Sequence, residues 1–355
     1  MTSEINTYLQ YSNGNPFASQ AKMLFHSDRL NEYLTNGDTR PVFMEVNLTD
    51  RCNMRCKWCI SANRGVSKAE LNEDRLNRFL ADFALIGGKA LTFSGGGEPT
   101  LYKAFGRVSD RATALGLELG LMTNGFFGED VVNVVAENYK WVRVSLDTVD
   151  ETVYREMKGV KALPIVLENI KSLHGTQTKV GVNCNVGEHS TVEDIENLIC
   201  RVYDYCDYIQ FRPILPRHFA KEEICIDAVV WNKLDAYKSD PKINLSLDKC
   251  RDLVAGRGFP DSTCEGHFFS PVLDATGEVK VCMYHPGDPR FSFGNINEKS
   301  FSEIWKSHDR FNAIGFVRTL DYRKVCQACC KLCELNKLIN FLQHQDLNAL
   351  DVNFL

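Results

Sequence analysis

Three things are scarce in this chain, and each absence narrows its class. No run of apolar residues approaches the roughly 18 to 20 that a bilayer-spanning helix needs, so a helical membrane protein is excluded. The first thirty residues scatter Asp, Glu and other polar residues among the apolar ones, which is not the pattern of a secretory signal. Positive charge is not in excess either: 41 Lys and Arg face 46 Asp and Glu, a formal net charge of -5 at pH 7. A phosphate-binding surface usually needs a basic face, so no nucleic-acid partner is expected. The chain reads as cytoplasmic, with no membrane partner.

What the sequence does have is cysteine, 14 of them in 355 residues. In a reducing compartment clustered thiols serve as metal ligands or catalytic groups more often than as disulfides. The length and the 44% hydrophobic content allow a full core, with one large unit and a smaller one attached.

After a polar N-terminal arm (1–40) that includes Asn13 to Pro16, short β-rich runs alternate with stretches of helical period. The strand candidates are 42–48, 90–93, 117–122, 141–146, 179–186 and 208–215; the helix candidates are 70–85, 104–115, 129–137, 163–173 and 192–205. Alternation of this kind predicts a parallel sheet with crossover helices, and six strands favour a partial (β/α)6 barrel over a closed eight-stranded one. In such folds the loops after the strands carry the site. Residues 41–215 form this core, and 216–249, interrupted by Pro241, read as linker helices. From Cys250 the texture changes to short strands, turns and seven cysteines. Pro271 to Leu273 and Glu278 to Met283 flank the turn Asp274-Ala275-Thr276-Gly277 as a hairpin, with Gly277 suited to positive φ. A short helix starts at Ser302 to Trp305. Residues 250–340 are expected to be a metal-stapled domain with few apolar residues of its own, and 341–355 a tail.

Cys52, Cys56 and Cys59 stand in a CxxxCxxC run directly after the first strand. Structural zinc wants four closed ligands, usually from paired CxxC elements. Three thiolates with no obvious fourth partner nearby fit three corners of a four-iron cluster better. After the second strand comes Ser94-Gly95-Gly96-Gly97-Glu98-Pro99, in which glycines let backbone approach a ligand and Glu98 can accept from an ammonium. Alone this is a weak signal, although no Lys-Ser or Lys-Thr follows and a phosphate loop is disfavoured.

These residues, with aromatic Trp58 before the third cysteine, Met122-Thr123-Asn124-Gly125 after the third strand and Val144-Ser145-Leu146-Asp147 at the fourth, resemble the radical S-adenosylmethionine (SAM) enzymes over about residues 41 to 215. The resemblance implies that Cys52, Cys56 and Cys59 ligate a [4Fe-4S] cluster whose open iron is chelated by the amine and carboxylate of SAM. It places Glu98 and the backbone of Gly95, Gly96 and Gly97 at that amine. Asn124, Ser145, Asp147, Asn183 and Arg212 are its further SAM-contact candidates, each with an ordinary reading as a capping or turn residue.

Cys264 and Cys282 bracket the hairpin in a Cx12Gx4C spacing, and Cys326, Cys329, Cys330 and Cys333 follow as CxxCCxxC. Alone, a four-cysteine zinc ribbon fits equally well. Behind a radical SAM core the pattern resembles the SPASM and twitch extensions, which implies an auxiliary iron-sulfur cluster. Phe293-Gly294-Asn295-Ile296 leading to Ile304-Trp305 is similar to the segment between their cysteine groups. The full SPASM cysteine pattern is not completed, so one auxiliary [4Fe-4S] cluster is expected. Its ligands would be Cys264, Cys282, Cys326 and Cys329, with Cys330, Cys333 or Cys250 able to replace one of the last pair. Cys184, Cys200, Cys206 and Cys225 lack ligand spacing and read as buried thiols. The sulfatase-maturing branch has an Asp base directly after the Gx4C cysteine. Here Met283 stands there, and His285 is a weak substitute.

The expected activity is reductive cleavage of SAM to a 5'-deoxyadenosyl radical and hydrogen abstraction from a small polar metabolite. An aminocyclitol, sugar or nucleotide-sugar would be oxidised, with the auxiliary cluster as electron acceptor and a flavodoxin or ferredoxin as external reductant. The arm is too short for the leader-binding domain of many peptide-modifying relatives. A maturase forming crosslinks, epimers or thioethers on a ribosomal peptide is the second expectation, and a non-catalytic iron-sulfur or zinc protein the third.

Overall fold

Strand and helix alternate along most of the described chain, which in this computed structural model comprises residues 20–59, 61, 67–214, 227–245, 263–285, 287–326 and 332–344. The N-terminal arm contributes more than a polar lead-in. A 3-10 turn, Gln20–His26, runs into helix α1 (Ser27–Asn36), whose Tyr33 is buried. Asn13 to Pro16 lie outside the described residues.

Six parallel strands then follow: β1 (Phe43–Asn47), β2 (Ala90–Ser94), β3 (Glu118–Thr123), β4 (Tyr139–Ser145), β5 (Lys179–Val186) and β6 (Tyr208–Pro213). Between them lie α2 (Glu73–Leu85), α3 (Phe105–Ala114), α4 (Glu129–Asn138), α5 (Glu151–Lys158), α6 (Leu163–Leu173) and α7 (Val192–Val202). The helices start where the sequence supplies caps. Asn72 accepts from Arg75 N, Asp150 accepts from Val153 N, and Thr191 with Asp194 forms a full capping box. Helix α5, with its αL cap at Gly159, was not among the expected helices.

These six lie side by side in the order β1-β2-β3-β4-β5-β6. A short β7 (Ile243–Leu245) pairs parallel with β6, and helix α8 (Ala228–Asp235) precedes it. The stretch read as linker helices therefore extends the sheet. At the other edge β8 (Val272–Leu273) pairs parallel with β1 and antiparallel with β9 (Glu278–Lys280), and β10 (Ser292–Asn295) completes the hairpin edge. Gly277 has φ +91, as its turn requires.

The outward face of the core strands is apolar and sits under the helices: Met44, Val46, Leu91, Phe93, Leu121, Val142, Val144, Val180, Val182, Ile209 and Phe211 are all buried. The C-terminal segment is not poor in apolar residues, contrary to expectation. Helix α9 (Phe301–Trp305) sets Phe301 edge-on against Phe79 and Phe83 of α2, at 5.2 and 5.9 Å between ring centroids. Phe268, Phe269, Phe291 and Phe293 are buried with it. Helix α10 (His308–Val317) carries Arg310, which is wholly buried and bonds Asp38 with both terminal nitrogens. After α11 (Tyr322–Val325), the final helix α12 (Cys333–His344) folds back, and Asn336 Oδ1 accepts from the backbone of Glu265 and Gly266 at 2.9 and 2.6 Å. Hydrophobic packing, not metal alone, fixes this segment to the barrel.

Candidate functional site

The loop after β1 carries Cys52, Cys56 and Cys59, all half-buried. Two backbone contacts hold it from opposite sides. On one side the turn after β2 donates Gly97 N to Thr49 O at 3.1 Å and Glu98 N to Arg51 O at 2.8 Å. On the other, Arg55 N and Lys57 N bond the carbonyls of Lys158 and Met157 at the end of α5, each at 2.8 Å. The glycines of the GGGEP turn serve these contacts: a β-carbon on Gly95 would stand 2.4 Å from Gly97 O. The thiols are close enough that the charges of Cys52, Cys56 and Cys59 act on one another, and burial pushes Cys56 up to about 11. Among the described residues no three of His, Cys, Asp or Glu converge to hold a single metal ion. A cluster with four irons, whose corner ligands stand apart, asks for no such point.

Glu98 is buried at the base of this loop and caps the turn after it. Its Oε1 accepts from Thr100 N, Thr100 Oγ1 and Thr123 Oγ1 at 3.3, 2.9 and 2.7 Å, and Oε2 accepts from Asn124 N at 2.8 Å. Burial raises its carboxyl, against the pull of those donors. Oε1 is saturated, whereas Oε2 has room for one more donor. Asn124 then reaches the cysteine loop, with Nδ2 bonding Asn53 Oδ1 at 2.7 Å and lying 3.9 Å from Cys52 Sγ. Cys52, Glu98 and Asn124 are thus one connected group.

Asp147 belongs to a second group. Its Oδ2 meets Lys158 Nζ at 2.5 Å, with both side chains about 95% buried, and its Oδ1 accepts from Asn185 N and Nδ2 at 2.8 and 3.0 Å. Burial opposes the Lys158 charge, but Asp147 and Cys56 together hold its pKa above the ordinary lysine value. Lys158 escaped the sequence reading because its helix did; a cation one helical turn past Tyr154 carries no motif of its own.

The inward face of the strands is polar on five of the six, two residues on each: Glu45 and Asn47, Thr92 and Ser94, Arg143 and Ser145, Asn183 and Asn185, Gln210 and Arg212, while β3 places Gly120 and Met122 there. Period-2 alternation puts each pair on one face. Cross-links confirm the face: Ser94 Oγ donates to Glu45 Oε1 at 3.0 Å, and Arg143 Nη1 donates to Gln210 Oε1 at 3.0 Å. Burial lowers Arg143 to about 10, which leaves it charged at neutral pH. Asn47 is wholly buried, and neither of its amide atoms has a hydrogen-bond partner among the described residues; Asn183 Oδ1 also lacks one. Each such group costs about 1–3 kcal/mol when left unpaired. Ser145 and Asn183 are in register on β4 and β5, and Arg212 is in register with Asn185. Sequence reasoning missed Glu45, Asn47 and Arg143. The signal was available, because a parallel sheet covered on both faces reads as continuous apolar runs, whereas these strands alternate.

At the C-terminal site Cys264, Cys282 and Cys326 are half-buried, and Tyr322 lies within reach of both Cys264 and Cys326. Cys329, Cys330, Cys225 and Cys250 lie outside the described residues, as does the side chain of Cys333. Cys184 and Cys206 are buried as expected, but Cys200 is exposed on α7, on the solvent side of an amphipathic helix. His285 stacks face to face on Phe291, at 4.0 Å between centroids, and burial lowers its pKa.

Family comparison joins these two regions. The model of the radical SAM superfamily matches residues 46–200, and that of an iron-sulfur cluster-binding domain, SPASM, matches residues 264–333. The chain is 26% identical to Fe-coproporphyrin III synthase of Methanosarcina barkeri, over 76% of this chain and 74% of that protein. It is 28% identical to the mycofactocin maturase MftC of Mycolicibacterium smegmatis, over 81% and 75%. It is 27% identical to a GTP 3',8-cyclase of Clostridium perfringens, over 49% of this chain and 55% of that protein. Its fold matches Streptococcus suis SuiB bound to precursor peptide SuiA, with TM-score 0.65 and 15% identity over 97% of this chain and 85% of that one. With its core and its C-terminal cysteine segment each matched, the chain belongs to the radical SAM superfamily, in the group that carries a SPASM iron-sulfur domain.

Proposed function

We propose that the chain is an oxidoreductase that cleaves SAM reductively and oxidises a small polar metabolite, such as an aminocyclitol, sugar or nucleotide-sugar. Its superfamily works with SAM and a [4Fe-4S] cluster, and its SPASM domain adds auxiliary iron-sulfur. When bound, these groups supply a 5'-deoxyadenosyl radical that takes a hydrogen atom from carbon. Cys52, Cys56 and Cys59 hold the first cluster in this reading, and the open lone pair of Glu98 Oε2 accepts from the SAM amine. Gly95, Gly96 and Gly97 set that turn; Asn124, Ser145, Asn183 and Arg212 line the rest of the SAM path. Asp147 acts there through Lys158 and Asn185, its own oxygens being engaged.

Oxidation of a secondary alcohol to a ketone then releases one proton and one further electron. Cys264, Cys282, Cys326 and Cys329 would hold one auxiliary cluster as the electron's acceptor, with Cys330, Cys333 or Cys250 able to replace one of the last pair. A flavodoxin or ferredoxin of the cytoplasm is the reductant. The observation that carries the small-molecule reading is the polar inner face of the strands, with buried amides that await partners.

A second reading, maturation of a ribosomal peptide, is favoured by the similarity to MftC across 81% of the chain. Incubating the reconstituted, reduced protein with SAM and deuterated candidates separates the two. Deuterium in 5'-deoxyadenosine from a polyol supports the first reading, and transfer from a peptide alone replaces it with the second.

A further inference from the structure

The C-terminal end of α5 lies against the middle of the cysteine loop. Arg55 N and Lys57 N, the two amides that flank Cys56, donate to the carbonyls of Lys158 and Met157, each at 2.8 Å. Both amides are thus committed to the helix end rather than to a sulfur. Cys52 draws its support from hydrogen bonds, received from Met54 N and, at 3.9 Å, from Asn124 Nδ2. At Cys56 the leading favourable influence is instead the charge of Lys158.

Lys158 is buried, and its Nζ bonds Asp147 Oδ2. The pair is not symmetric towards the loop. Asp147 turns its other oxygen to Asn185 on β5, and at Cys56 the Lys158 charge outweighs that of Asp147. The positive end of the pair therefore faces the thiolate, where little water screens it. The potential of an iron-sulfur cluster depends on net charge, hydrogen bonds to its sulfurs and solvent exposure. A buried cation beside one ligand favours the reduced form, which carries the more negative charge.

We propose that Lys158, acting through Cys56, raises the reduction potential of the cluster held by Cys52, Cys56 and Cys59, and that Asp147 tempers the rise. The inference rests on the reading of these cysteines as ligands of the SAM-cleaving cluster and adds what eases its reduction. The flavodoxin or ferredoxin gives one electron, and the proton on Lys158 is already in place.

The test is a redox titration of the anaerobically reconstituted protein without SAM, followed by electron paramagnetic resonance. The signal of the first cluster is the one that added SAM perturbs. Lys158→Met should lower its midpoint and Asp147→Asn should raise it, each by a tenfold shift in the ratio of reduced to oxidised form, about 59 mV for one electron. Lys158→Arg should stay close to wild type. Loss of packing alone would not move the first two variants in opposite directions. Should Lys158→Met fail to fold, the double variant Lys158→Met/Asp147→Asn strands no charge and should still titrate below wild type. Unmoved midpoints, shifts of both single variants in one direction, or a double variant at or above wild type overturn the inference while SAM cleavage stands. Lost SAM affinity in Lys158→Met at an unchanged midpoint also overturns it and assigns the side chain to SAM. A wild type with no signal that SAM perturbs overturns the proposed function and the inference with it.

Discussion

Gly97 packs its α-carbon so close to Arg51 that a β-carbon added there would stand 2.1 Å from the Arg51 carbonyl oxygen. The contact is backbone against backbone, so no side chain can rotate away to relieve it. Gly97→Ala should push the Glu98 turn off the cysteine loop and cost about 1–3 kcal/mol of stability. SAM affinity of the reconstituted protein, measured by equilibrium dialysis, should fall at least tenfold. Unchanged affinity would show that the two loops bind independently.

Lys158 and Asp147 form a buried pair between α5 and the end of β4. Removing one partner strands the other charge, so Lys158→Met should destabilise by about 3–5 kcal/mol. Lys158→Arg, which keeps the charge, should recover most of that loss. Urea unfolding of the two variants side by side checks the order, and equal midpoints would deny the pair a structural role.

Iron content separates the two cysteine groups. Two four-iron clusters require about eight irons per chain, and Cys56→Ala should drop this to about four while abolishing 5'-deoxyadenosine formation. Cys282→Ala should also fall to about four irons but retain SAM cleavage. About four irons in the wild type would rule out the auxiliary cluster.

Glu265, directly after Cys264, receives Tyr33 Oη at 2.7 Å and Arg318 Nη2 at 2.9 Å. Burial disfavours its charge, but these two donors outweigh it and hold the carboxyl below the ordinary glutamate value. A folded-state value below the unfolded one contributes stability at neutral pH that is lost as pH falls through the folded value. Between about pH 5 and about pH 3 the wild-type melting temperature should therefore fall more steeply than that of Glu265→Gln. Parallel curves would remove Glu265 from the acid response.

The barrel was legible because its strands and crossover helices carry their own periods: β5 and α6 fall on the expected residues, and the other core strands within a few positions. Short elements without a turn signal were not. Helix α5 spans eight residues in a polar stretch and β7 spans three, too few for a period to register, whereas β8, which spans two, was read from the Gly277 turn of its hairpin. Such strands exist only because neighbours in the sheet pair with them. The cysteine spacing announced the first site, yet gave no hint that Asp147 would be committed to Lys158, since that partnership is made by folding α5 back onto the loop. Asn47 could have been placed on the inner face by alternation, but not its lack of partners among the described residues, because that is a property of its surroundings.

Strand β8 hydrogen-bonds directly to β1, with Val272 beside Glu45 and Leu273 beside Val46. From the far end of β1 the chain enters the loop of Cys52, and from β8 it runs through the Gly277 turn and β9 to Cys282. The strand that leads into Cys52 and the strands that lead into Cys282 are therefore joined by a ladder of backbone hydrogen bonds rather than by a hinge. In the proposed reading, an electron passing between clusters held by these cysteines would cross a span tied to paired strands, whatever substrate is bound. Any redesign of substrate preference in this chain can reshape the barrel lining, but it inherits that ruler unchanged.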